Sequence, residues 1–154
     1  MPTVYAAPAD VARELVALLP AGFPVEPAAG DSTPSVADVV AEIQSVTTGL
    51  RVRVVRALGA EPQWTDDAAA LLTRGVVHKV CAWVLRRVTT GMAVVDVVKL
   101  TQPYEDVYRD VLSEIQLLPD LFRATTVPEH RVGRPAAPRC PVLGDDAVGR
   151  TDTY

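Results

Sequence analysis

Residues 65–88 read TDDAAALLTRGVVHKVCAWVLRRV, and this stretch decides the fold. Thr65 is a good N-cap, because its hydroxyl accepts a bond from a free amide of the first turn. Asp66 and Asp67 follow at the positive end of the helix dipole, and Arg86 and Arg87 stand at the negative end. Gly91 terminates the segment. Leu72, Val76, Val80, Trp83 and Val84 recur at helical spacing. Leu71, Val77, Cys81 and Leu85 widen that apolar face well beyond a stripe. A helix apolar over so much of its circumference expects neighbours on several sides. The reading is a central post around which amphipathic helices pack.

Working outward, Thr33 and Pro34 are expected to open a long helix before this post. Its apolar positions are Val36, Val39, Val40, Ile43, Val46, Leu50, Val54 and Leu58, and Gly59 closes it. Gly49 is an interior weakness and a candidate bend. Earlier still, Pro8 opens a short helix with Val11, Leu15, Leu18 and Leu19 on one face, ending before Pro20. Residues 21–31 form a loop in which Phe23 and Val25 tuck against the bundle.

After the post, residues 92–100 (MAVVDVVKL) are rich in β-branched side chains. They suit either a short strand or an ordered loop that packs Val95 and Val98 under the bundle. Pro103 then opens a last helix. Its apolar face is Tyr104, Val107, Tyr108, Val111, Leu112, Ile115 and Leu118, with Glu105, Asp106, Arg109, Asp110 and Glu114 opposite, and Pro119 ends it. The expected architecture is all-α: a small four-helix bundle over residues 1–119, with an extended Pro-rich C-terminal arm over residues 120–154. Apolar residues spaced along that arm (Leu121, Phe122, Val127, Val132, Val142 and Leu143) suit addition to a partner through backbone bonds and side-chain pockets.

The 154 residues suit one domain, and 49% hydrophobic against 22% charged residues predicts a folded core. The net charge of -4 argues against a protein devoted to duplex DNA. Two cysteines, Cys81 and Cys140, make no disulfide framework. The N-terminal residues lack the pattern of a signal peptide, and no charge-free apolar run of spanning length is present.

Motifs for chemistry are sparse. His78 and Cys81 stand one helical turn apart, but a metal site needs three or four ligands. Asp66 and Asp67 read as helix-terminal charge rather than a catalytic pair. There is no nucleophile elbow, P-loop, dinucleotide fingerprint or zinc-protease motif. No catalytic, cofactor-binding or metal-ligating residue is therefore assigned, no cofactor is expected, and the chain is not expected to be an enzyme. Arg51, Arg53 and Arg56 form a basic group, and a helix-turn-helix can be drawn through the second and third helices. Its recognition helix would begin with Asp66 and Asp67, which repel phosphates.

The order of elements resembles the head-to-tail connector adaptor proteins of long-tailed bacteriophages. The likeness covers residues 5–122 and rests on four patterns. These are Tyr5 with Asp10-Val11, a second helix around Asp38-Val39-Val40-Ala41-Glu42-Ile43, the Ala-rich helix from Ala68 to Val88, and a final helix with Tyr104, Tyr108, Val111 and Leu112. The resemblance implies a structural virion protein of the neck, assembled in the host bacterial cytoplasm. Copies would form a ring, usually a dodecamer, between the portal protein and a stopper or tail-completion protein. DNA would pass through the channel without specific binding, with no membrane involved. The arginine groups would then serve subunit or portal salt bridges. The alternative from a different class is a small helical DNA-binding regulatory protein using Arg51–Arg56.

Overall fold

The computed structural model describes residues 5–59, 62 and 64–122. The chain divides into two units, Met1–Ala124 and Thr125–Tyr154, and all described residues belong to the first. The expected arm beyond residue 122 lies outside them. Four α-helices and a 3-10 turn make up the first unit: α1 (Pro8–Glu14), α2 (Val36–Leu58), α3 (Asp66–Val88), α4 (Val94–Leu117) and η1 (Pro119–Phe122). Among the described residues there is no strand, so the all-α four-helix expectation holds.

The central post is α3. Thr65 caps it as read from the sequence: its hydroxyl accepts from the Ala68 amide at 3.2 Å. The same hydroxyl donates to the Leu121 carbonyl at 3.2 Å, tying the start of α3 to η1. Eleven of its 23 residues are buried, including Leu72, Val76, Val80, Cys81 and Val84. By length and composition α3 is apolar enough to cross a membrane, with a mean hydropathy of 1.4 over its most apolar window. Neighbours on several sides bury 61% of that window, and this accounts for its composition. Trp83, expected in the core, is half-buried at its edge, and the Arg87 guanidinium lies over its ring at 4.4 Å.

Both α2 and α4 run antiparallel to α3. Arg74 pairs with Glu114, Gly75 faces Val111 and Leu50, and Lys79 pairs with Glu105. Gly75 is what lets α4 close on α3: a Cβ there would stand 2.9 Å from Val111 Cγ1. The core of α2 is Val39, Ile43, Thr47, Leu50 and Val54. Gly49 interrupts nothing, since α2 is continuous through it. The expected cap at Thr33 is corrected to Ser35. The Ser35 hydroxyl accepts from the Asp38 amide, and the Asp38 carboxylate accepts from the Ser35 amide and hydroxyl. This reciprocal box satisfies two free groups, which Thr33 followed by Pro34 does not. It holds the Asp38 carboxyl below its ordinary range, first through the Ser35 side chain and then its backbone.

The short α1 lies beside α3, with Val11 and Leu15 buried. Ala7 has no side-chain oxygen, so only the return half of a capping box forms, from the Ala7 amide to Asp10 Oδ2 at 2.9 Å. Leu18 and Val25, expected to pack inward, are exposed, whereas Phe23 packs on the core.

Two expectations for the last third are overturned. Residues 94–100 are neither strand nor loop but the first turns of α4, and Pro103 lies inside the helix rather than at its start. Among the described residues no strand is at hand to pair with this β-branched run, so its strand preference finds no partner there. Extended Ala93 and first-turn Asp96 begin the helix instead. Thr101 helps carry it towards Pro103, donating its hydroxyl to the Val97 and Val98 carbonyls at 3.0 and 3.3 Å. The helical body also extends past residue 119. Phe122 is 1% exposed in the core, where it meets Trp64 edge-on at 6.2 Å, and Tyr5 packs on Trp64 with its ring tilted, the centroids 5.3 Å apart.

Candidate interaction surface

The side chains considered for chemistry are held by structural partners. His78 Nδ1 is 2.9 Å from the Arg74 carbonyl, to which it donates in the matching tautomer, and the ring leans on Tyr104. Cys81, one turn on, is fully buried, with its thiol 3.9 Å from the Val11 carbonyl. Burial, and secondarily the charge of Glu14, push that thiol up to about 12. The two residues therefore do not share an open face. Among the described residues no group of three or more His, Cys, Asp or Glu side chains is placed to hold a metal. Asp66 and Asp67 occupy the exposed first turn of α3, as expected of dipole charges.

The basic groups divide. Arg86 pairs with Glu105 at 2.8 Å, and Lys79 reaches the same carboxylate at 3.0 Å. Glu105, placed on the polar face of the last helix by its sequence, is thus a half-buried clasp between α3 and α4, its side chain 19% exposed. Arg53 and Arg56 make no ion pair among the described residues. With Ala57, Leu112, Ile115 and Gln116 they line an open groove of about 340 Å³ between the C-terminal ends of α2 and α4.

The most exposed apolar surface is at the other end. Residue 74 stands beside 114, 75 beside 111 and 79 beside 105. On that register the last residue of α3, Val88, is level with about residue 98 of α4. The first turns of α4 therefore overhang the end of α3 and lose their covering neighbour. Val94 is 79% exposed and Val95 64%, and Met92, Val98 and Leu100 are also exposed. Asp96 and Lys99 sit among them with no ion pair among the described residues. Beside the overhang an open groove of about 420 Å³ runs between Met92, Val94 and Val98 on one side and Arg86, Thr89 and Thr90 on the other. This projection is the candidate interaction surface of the described residues.

This surface is not legible in the sequence while Pro103 reads as a helix start. The available signal was the spacing Val94, Val97, Thr101, Tyr104, Tyr108, which continues the period of α4 across Pro103 without a break. Comparison with protein-family models, with curated protein sequences and with solved structures finds no match.

Proposed function

We propose that this protein is a structural virion component, the head-to-tail adaptor that forms a ring between portal and stopper in a long-tailed phage. The observation that supports it best is the apolar overhang of α4 on an otherwise well-packed helical body. A chain that works alone gains nothing from presenting Met92, Val94, Val95 and Val98 to water, whereas a subunit of an assembly does. The order of helices supports it too. Tyr5, Asp10-Val11 and the Tyr-rich final helix, which carry the family likeness, all belong to one packed unit here. A net charge of -4 suits a conduit in which DNA slides rather than binds.

The regulatory DNA-binding reading draws support from Arg53 and Arg56, which make no ion pair among the described residues. Against it, Asp66 and Asp67 would face phosphates at the start of α3. Quantitative mass spectrometry of purified phage particles, scaled to the major capsid protein, tests the proposal. About a dozen copies per particle is the expected result, following the usual ring of the family it resembles. Absence from particles would remove the adaptor reading, and salt-dependent DNA binding by the purified protein would favour the regulator.

A further inference from the structure

We infer that η1 is a detachable latch: when Phe122 leaves Trp64, Tyr5 and α1 loosen with it, so that capture of residues 121–122 is felt at the other end of the chain. The latch stands whether or not copies form a ring. Both ends of the described body are held at one place, the start of α3. Phe122 meets Trp64 edge-on with centroids 6.2 Å apart, and Tyr5 packs against the same indole at 5.3 Å. Among the described residues these are the aromatic contacts of Trp64. Beside the ring, Thr65 donates its hydroxyl to the Leu121 carbonyl. About two turns along α3, Thr73 donates to the Tyr5 carbonyl.

The elements so held are the shortest in the fold. α1 has seven residues and η1 four, against 23 or 24 in each of the other helices. Short elements resting on few buried side chains open at lower free energy than the body beneath them. Leu121 and Phe122 also belong to the pattern of the arm, as the first two of the apolar residues spaced along it. A partner that takes them into its own pockets must first lift η1 from the bundle. Lifting η1 empties one side of Trp64, and the indole that supports Tyr5 is then no longer fixed. Without Tyr5, α1 is held chiefly by Val11 and Leu15. Coupling of this kind is mutual, so loosening Tyr5 weakens the seat of Phe122 to the same degree.

Amide hydrogen exchange of the full chain, followed by NMR, tests the latch. One reporter is the Leu15 amide, bonded to the Val11 carbonyl at 3.2 Å, and the other is the Leu121 amide, bonded to the Leu118 carbonyl at 3.1 Å. In the wild-type protein both should exchange faster than amides in the middle of α2 and α3, because the latch opens without the rest of the molecule. Phe122→Ala should speed exchange at Leu15 roughly tenfold or more, and Tyr5→Ala should speed exchange at Leu121 by a similar factor. If either alanine variant lacks native helical circular dichroism, Phe122→Leu and Tyr5→Leu, which keep apolar bulk, should shift the same reporters in the same directions by less. Exchange at Leu15 unmoved by the Phe122 variants would mean that each end is held independently, and the latch would be overturned. Wild-type Leu15 and Leu121 amides as slow as the middle of α2 would overturn it too, since the ends would then open only with the whole molecule. None of these outcomes bears on the copy number in particles, which tests the adaptor reading separately.

Discussion

At the scale of single residues, two glycines on neighbouring helices do opposite things. Gly75 exists so that α4 can approach α3, with Val111 Cγ1 2.9 Å and Leu50 Cδ1 3.4 Å from where a Cβ would be. Val111 is a fully buried β-branched residue with little freedom to retreat. Gly75→Ala should therefore destabilise the protein by about 1–3 kcal/mol, read as a lower urea midpoint at unchanged slope. Gly49 is in exposed, unobstructed space on α2. Gly49→Ala should stabilise by about 0.5–1 kcal/mol, because the helix then loses less backbone freedom on folding. A destabilised Gly49→Ala protein would mean that this surface of α2 is occupied by something the isolated chain lacks. Cys81 offers a third test. Its buried thiol, pushed up to about 12, carries almost no thiolate near neutral pH. A Cys140→Ser variant should show no reaction with a thiol reagent until denaturant unfolds it.

At the scale of elements, the start of α2 is set by the box between Ser35 and Asp38. The Asp38 carboxyl lies below its reference value of 3.8 in the folded protein, so the folded state binds its proton less readily than the unfolded chain. The stabilisation is complete above about pH 4 and is lost as pH falls through the folded value. Asp31 behaves in the same direction, through the Thr33 amide first. Thermal melts should show the wild-type midpoint falling across this acid range, with Asp38→Asn removing part of the fall. An unchanged acid slope in that variant would mean the box contributes no pH-dependent stability. The clasp of Lys79 and Arg86 on Glu105 plays the corresponding part between elements. It fixes the register of α4 on α3, and that register leaves the first turns of α4 overhanging.

At the scale of the whole molecule, the folded body ends later than proline punctuation suggests. Leu121 and Phe122, expected in the arm, belong to the bundle, where Phe122 lies under Trp64 and the Leu121 carbonyl accepts from Thr65. A chain ended after Ala124 should keep its helical circular dichroism and melting midpoint. One ended after Leu118 should lose about 3–5 kcal/mol, the cost of emptying a buried aromatic site. Equal stability of the two truncations would place Phe122 outside the cooperative core. Assembly behaviour belongs to this scale as well, since it follows from which apolar surface the four helices leave uncovered.

The sequence by itself determined the α3 post, its Thr65 cap, the apolar faces of α2 and of α4 from Tyr104 to Ile115, and the all-α class. These follow from local periodicity and capping, which act within a few residues of each other. Other features depended on contacts between segments distant in the chain. Whether residues 94–100 became helix or strand turned on the absence of a pairing strand among the described residues. Whether their valines were covered turned on where α3 stops relative to α4, set by Gly75, Glu105 and Glu114 across the interface. The fate of Phe122 likewise turned on an aromatic pocket made by Tyr5 and Trp64 from two other parts of the chain. Local pattern writes each helix; relative register, a property of pairs of helices, decides which apolar side chains become core and which become an interface.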